Sequence, residues 1–187
     1  MKRTLIAVSL VMLTAFSVTS AQALNLVTNG GFETGDFSGW STSGSYINVL
    51  SNYPDSGNYY ASLGTEGSLG SLLQAQIPTI DGQVYELTYS LARINSGATP
   101  NEFIVSVNGV TMADEVNAGT QPYTPYSYLF TADNSQTEIS FFERNDGGAF
   151  ALDNVSVDLA PVPEPCTLLL LGSGLVGAGF LRRKQKA

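Results

Sequence analysis

Between residues 84 and 91 the chain alternates strictly. Tyr85, Leu87, Tyr89 and Leu91 share one parity, and Glu86, Thr88 and Ser90 the other. A period of two marks a half-buried strand and is incompatible with the stripe of an amphipathic helix. The pattern recurs downstream. Phe103, Val105 and Val107 alternate, and Val107-Asn108-Gly109-Val110 is a hairpin signal leading to Met112. Tyr126, Tyr128 and Phe130 form another run, Ile139 and Phe141 the next. The turn Asn145-Asp146-Gly147-Gly148 then precedes a final strand over 150–157. Earlier candidates lie at 46–50, 59–63 and 69–77. About eight to ten short strands divided by Gly, Asn, Asp, Pro and Ser, with almost no helix signal and no internal repeat, predict an all-β fold. The expected architecture is an antiparallel β-sandwich.

The last strand changes parity partway. Phe150 and Leu152 point one way, Val155 and Val157 the other. A face can switch parity only through an inserted residue, so the sequence predicts a β-bulge at Asp153-Asn154 that re-aims the Asp153 carboxylate.

The two ends of the chain are of a different kind. Lys2 and Arg3, an apolar stretch over 5–18 and the small-x-small site Ala21-Gln22-Ala23 make a secretory signal peptide cleaved after Ala23. At the other end, Pro163-Glu164-Pro165 is stiff and extended. An uncharged run over 166–181 follows, and Arg182, Arg183, Lys184 and Lys186 close the chain. As a helix the run would reach about 24 Å, enough for a single transmembrane span with modest thinning of the bilayer. The basic cluster stays cytoplasmic, which leaves the domain outside. The expected organisation is a signal peptide at 1–23, a β-sandwich domain at 24–160 and a sorting and anchor segment at 161–187.

This tail, Val162-Pro163-Glu164-Pro165-Cys166-Thr167-Leu168-Leu169-Leu170-Leu171-Gly172 with its basic end, resembles a PEP-CTERM sorting signal. The resemblance implies a Gram-negative source and processing by an exosortase near Pro163-Glu164-Pro165. It also implies a transient inner-membrane anchor with the domain in the periplasm. The final place would be the outer surface or an exopolysaccharide-rich biofilm matrix. Cys166 stands where Ser is more familiar in the motif. A plain single-span anchor is the alternative reading.

Residues 24–160 carry 15 Asp and Glu against two basic residues, Arg93 and Arg144, a net charge of −13. Such a surface repels nucleic acid and anionic lipid and suits divalent cations or neutral polymers. Acidity also serves solubility alone. Cys166 is the only cysteine, so no disulfide staples the domain. The absence of His excludes a Ser-His-Asp triad, a Cys-His pair and His-ligated zinc.

The domain opens Asn25-Leu26-Val27-Thr28-Asn29-Gly30-Gly31-Phe32-Glu33, with Trp40 shortly after. Gly30-Gly31 permits a tight backbone path, and Phe32 and Trp40 are natural core anchors. Joined to the ending Phe150-Ala151-Leu152-Asp153-Asn154-Val155-Ser156-Val157, this opening resembles the carbohydrate-binding jelly rolls of the galactose-binding-like superfamily. The resemblance implies first and last strands side by side, holding a structural calcium. Glu33 would be the first-strand carboxylate and Asp153 the last-strand one. The loop over 54–59, with Ser56 and Asn58, would lend carbonyl oxygens. Calcium takes six to eight oxygen ligands, for which such a set is adequate. The alternative is that Glu33 and Asp153 accept backbone N–H bonds near a sheet edge. For sugar stacking the loop-borne aromatics Tyr59, Tyr123 and Tyr126 are the candidates, each with packing as its alternative.

The expected function is non-catalytic: an exported surface or matrix protein that associates with exopolysaccharide. A self-associating matrix subunit is the second reading. A small glycoside hydrolase is the third, though no acid pair sits in a recognisable motif.

Overall fold

The computed structural model describes residues 25–95 and 99–161. The signal peptide, Pro163-Glu164-Pro165, Cys166, the apolar run and Arg182, Arg183 and Lys184 lie outside the described residues. Among the described residues no helix is long and apolar enough to cross a membrane.

Ten strands follow one another: β1 (Ser41–Ser43), β2 (Ile47–Leu50), β3 (Tyr60–Leu63), β4 (Gly70–Pro78), β5 (Val84–Asn95), β6 (Asn101–Val107), β7 (Val110–Val116), β8 (Gln121–Thr131), β9 (Gln136–Asn145) and β10 (Ala149–Leu159). They form two five-stranded sheets, ordered β1-β4-β9-β6-β7 and β2-β3-β10-β5-β8, with every strand pair antiparallel. This is the expected sandwich. Asn108 (φ 47°) and Gly109 (φ 75°) both turn left-handed in the β6–β7 hairpin, the geometry a two-residue loop between twisted strands requires. Only β1 escaped the sequence reading. Its three residues, Ser-Thr-Ser, are all exposed and show no alternation.

The alternating residues fill the space between the sheets. Tyr85, Leu87, Tyr89 and Leu91 of β5 are buried with Phe103, Val105 and Val107 of β6 and Ile139 and Phe141 of β9. Aromatic rings bridge the layers. Tyr89 and Phe150 come from one sheet, Phe103 and Phe141 from the other. Ring centroids lie 5.4 Å apart for Tyr89–Phe141 and 5.1 Å for Phe103–Phe150. Trp40 and Phe32 continue the stack at 6.2 and 5.7 Å. Burial of each large apolar side chain contributes roughly 1.5–3 kcal/mol, which is how the domain does without a disulfide.

The opening segment does lie beside the last strand, but as turns and not as a strand. β3 pairs only with Phe150, Ala151 and Leu152 of β10. The opening takes over the vacated edge: Leu26 N–H donates to the Val157 carbonyl and Val155 N–H to the Gly30 carbonyl, both at 2.9 Å. Asn25 copies a strand with its side chain, accepting from Val157 N–H at 3.1 Å and donating to the Val155 carbonyl at 3.1 Å. Positive φ at Asn29 (51°) and Phe32 (57°) prevents an extended run and drives the Phe32 ring into the core.

Gly30 fixes this approach. A Cβ there would overlap the Val155 carbonyl oxygen, a backbone atom held in the sheet. Gly30→Ala is therefore expected to cost about 3 kcal/mol, the upper range for overpacking, read from the urea midpoint of unfolding. An unchanged midpoint would contradict the close approach.

Candidate functional site

The predicted bulge is present. Pairing of β10 with β5 slips between Asp153 and Ser156, and Asn154 takes φ 53°. The slip re-aims Asn154, not Asp153 as the sequence suggested, and returns Val155 to the core. Asp153 pairs with Ser90 and shares the outer face of the β2-β3-β10-β5-β8 sheet with Ala151, under the loop at 51–59 that joins β2 to β3. Asp153 is fully buried there. One carboxylate oxygen accepts from Asp55 N–H (3.0 Å) and Ser56 N–H (3.1 Å), the other from Asn154 N–H (2.7 Å).

Glu33 grips the same loop from the opening segment. It accepts from Asn58 N–H (2.9 and 3.0 Å), Tyr59 N–H (2.9 Å) and the Asn58 side-chain amide (3.2 Å). Gly57 (φ 63°) makes this possible, since a Cβ there would collide with the Glu33 carboxylate. Ser56 Oγ donates to Asn154 Oδ1 (2.6 Å), and Asn154 Nδ2 donates to Asp55 (2.9 Å). The four residues expected to ligate calcium, Glu33, Ser56, Asn58 and Asp153, are thus gathered at one place, and the loop gives them amides instead of carbonyls. The oxygens of Glu33 and Asp153 are already turned to these N–H donors. Among the described residues no group of three or more carboxylates is placed to hold a metal ion. As arranged, the two carboxylates anchor the loop through its amides, the alternative that the sequence raised.

The loop also packs through its aromatics. Tyr53 stacks on Tyr123 of β8 at 5.4 Å and 17°, and Tyr123 Oη donates to the Tyr53 carbonyl at 2.9 Å. Tyr60 donates to Asn52 at 3.0 Å. Beneath lies a small apolar cluster of Tyr60, Ala92 and Ala151, with Ile94 and Tyr123 at its rim. Burial raises the Tyr123 hydroxyl pKa, and the Asp153 and Asp55 charges raise it further. The other two candidate tyrosines are employed differently. Tyr126 stacks on Tyr89 at 5.1 Å and accepts from Gln121, packed against the core. Tyr59 is half-buried beside Gly35.

Next to the loop, β8, β5 and β10 form a shallow groove of about 370 Å³ lined by Thr88, Tyr89, Ser90, Pro125, Tyr126, Ser127 and Asn154. Thr88, Ser90 and Ser127 face outward there, Ser90 nearly covered and Ser127 Oγ bonded to Glu86, while the Asn154 amide at the rim is held by Ser56 and Asp55. Sequence reasoning missed them. They carry only the polar half of the alternation, and nothing marks them until the bulge and the loop define a rim.

Against this geometry stand the relatives. Residues 161–184 match the PEP-CTERM protein-sorting motif, as the tail's sequence suggested. No curated protein matches the chain. Among solved structures, TmCBM61 in complex with beta-1,4-galactotriose aligns at TM-score 0.59 and 19% identity, over 73% of this chain and 99% of that one. The CBM22-1 xylan-binding domain from Paenibacillus barcinonensis aligns at 0.53 and 19%, over 78% and 100%. The enzymatically active domain of Bacteriophage CBA120 tailspike protein 4 aligns at 0.57 and 18%, over 72% of this chain and only 21% of the tailspike chain. These likenesses show a jelly-roll β-sandwich shared with carbohydrate-binding modules. At such identities they establish the fold alone.

The anchors titrate in opposite directions. Hydrogen bonds from Tyr59 and then Asn58 lower the Glu33 pKa. Its contribution to stability is in place above the unfolded-state value and is lost as pH falls through the folded one. Burial raises Asp153 despite its amide partners. Its contribution is present below the unfolded value and is lost as pH rises through the folded one. Carboxyl-detected NMR should find Asp153 titrating above the ordinary aspartate value and Glu33 below the ordinary glutamate value, and a shift of the opposite sign at either would contradict the geometry. Asp153→Ala removes the acceptor of three amides, those of Asp55, Ser56 and Asn154, and should cost about 3 kcal/mol. Chelator-treated and calcium-loaded protein should unfold at the same temperature, whereas a calcium-dependent rise abolished by Asp153→Ala would restore the cation site.

Proposed function

We propose that this chain is an exported, non-catalytic glycan-binding protein that takes polysaccharide in the groove beside the 51–59 loop. The observation that carries the reading is the groove itself. Four small polar side chains, Thr88, Ser90, Ser127 and Asn154, line one open face. That face belongs to a fold shared with modules seen with beta-1,4-galactotriose or described as xylan-binding. The Thr88 and Ser90 hydroxyls suit the hydroxyl-rich edge of a sugar chain, each hydrogen bond contributing about 1 kcal/mol net. A net charge of −13 over 24–160 selects neutral or cationic polymers over acidic ones.

The sorting motif at 161–184 supports the rest of the reading. The domain is delivered across the inner membrane, held there by its tail, processed by an exosortase, and released to the outer surface or an exopolysaccharide matrix. Catalysis has little support in the site. Glu33 and Asp153 are occupied by loop amides, and Glu143, fully buried, accepts from Thr65 N–H at 3.0 Å and from the Thr65 hydroxyl. Self-association through sheet edges is opposed by Pro122 and Pro125 in the long edge strand β8, which remove donors from the exposed ladder.

The test is affinity electrophoresis in gels cast with neutral β-linked polysaccharides, galactan and xylan first. Wild type should be retarded. Thr88→Ala with Ser90→Ala, both outward-facing, should keep the unfolding temperature and weaken retardation about tenfold or more, as the loss of two hydrogen bonds requires. Equal retardation of wild type and variant would move the binding site elsewhere. The absence of retardation by any polysaccharide, including that of the source organism, would remove the binding function.

A further inference from the structure

The polypeptide leaves the sandwich at one end, and that end is apolar. Leu159 pairs with Tyr85, and Ala160 N–H donates to the Val84 carbonyl, so the exit lies at the start of β5. The 79–83 turn is at the same end, bonded to the 132–135 turn through Thr79 and Gly82. The β6–β7 hairpin is there too, with Asn108 bonded to Asp133 and Glu138. Ile80, Val84, Val110, Leu129 and Leu159 rim this end, with exposures from 43% at Val84 to 65% at Val110. They are not scattered singly. Val84 of β5 and Leu129 of β8 lie diagonally across one strand pair, with Leu129 opposite Glu86, and Leu159 of β10 pairs with Tyr85 next to Val84. Leu129 and Val110 border one cleft of about 250 Å³ with Val107, Met112 and Phe130. Contiguous exposed apolar surface on a domain this acidic needs a partner.

The chain itself indicates which one. The apolar run begins at Cys166, six residues beyond Ala160. Six residues span at most about 20 Å. While that run is in a bilayer, the exit end of the domain stays within about 20 Å of the lipid surface. We propose that this end of the domain is a lipid-facing surface: Ile80, Val84, Val110, Leu129 and Leu159 rest in the interface of the membrane that holds the tail. This inference rests on the reading of the tail as an anchor. The charge distribution selects the lipid. Arg93 and Arg144, the two basic residues of the domain, sit near the opposite end, whereas Asp81, Asp133 and Asp158 lie near the rim. The surface accordingly favours zwitterionic over anionic headgroups. Docked this way, the domain stands with its strands rising from the membrane and the groove of β8, β5 and β10 on its flank, open to polymer before the tail is cut.

The test uses the full chain in a Cys166→Ser background, reconstituted into phosphatidylcholine vesicles. Single cysteines carry an environment-sensitive fluorophore at Val110→Cys or Ile80→Cys, and at Val116→Cys on the opposite end as reference. The rim labels should shift to shorter wavelength and lose intensity to spin-labelled lipid, while the Val116 label does neither. Inclusion of phosphatidylglycerol should weaken the rim response. Failure of the chain to float with the vesicles removes the anchor reading and this inference together. Flotation with both rim labels open to aqueous iodide and untouched by spin-labelled lipid removes this inference alone. Rim labels shielded from iodide yet silent to spin-labelled lipid would assign the surface to a second copy and overturn the lipid.

Discussion

A buried carboxylate on the outer face of one sheet organises the functional side of this molecule. The bulge that follows Asp153 lets Val155 return to the core, while Asp153 keeps the outward parity of Ala151 and stands beneath the 51–59 loop. There it gathers N–H groups that the loop cannot pair within itself. A buried amide left unpaired costs about 1–3 kcal/mol, so the two loop donors on Asp153 are a real restraint. Glu33 takes the next two amides from the solvent side. Together they tie the opening segment, the β2–β3 loop and the last strand into one unit. The groove borders that unit, and its Asn154 is itself part of the bulge.

Such an arrangement has an electrostatic cost that the rest of the fold absorbs. Asp153 and Glu143 are both fully buried, and burial raises the pKa of each. A buried carboxylate is tolerable only where amides or hydroxyls converge on it. Thr65 does this for Glu143 as Asp55 and Ser56 do for Asp153. The aromatic layer of Tyr89, Phe103, Phe141, Phe150, Trp40 and Phe32 supplies the compensating apolar burial.

Much of the fold was legible because its signal is local. Alternation in 84–91 and at Phe103, Val105 and Val107 reports directly on which face meets the core, and a parity slip can mean only a bulge. The Asn108-Gly109 hairpin follows from left-handed backbone chemistry. What was not legible is set by long-range geometry. Glu33 and Asp153 were recognisable as a pair, yet whether the loop between them presents carbonyls or amides depends on peptide orientation, which residue types do not encode. The opening was expected as a strand, and positive φ at Asn29 and Phe32 makes it a series of turns. Tyr126 was legible as part of a strand run, but the sequence does not show that its ring stacks inward on Tyr89. Thr88, Ser90 and Ser127 gave no signal at all, because a polar residue on the outer face of a sheet is the ordinary case.

The molecule thus has a direction. The groove lies on the flank of one sheet, the apolar rim at the end where the chain departs, and the sorting motif begins immediately beyond. Its dependence on the loop anchor makes amide hydrogen exchange the most direct measurement. At neutral pH and without calcium, the amides of Asp55, Ser56, Asn58 and Tyr59 should be protected in wild type. Those of Asp55 and Ser56 should exchange freely in Asp153→Ala, with the core strands unchanged. Rapid exchange of all four in wild type, or protection that appears only when calcium is added, would contradict the account.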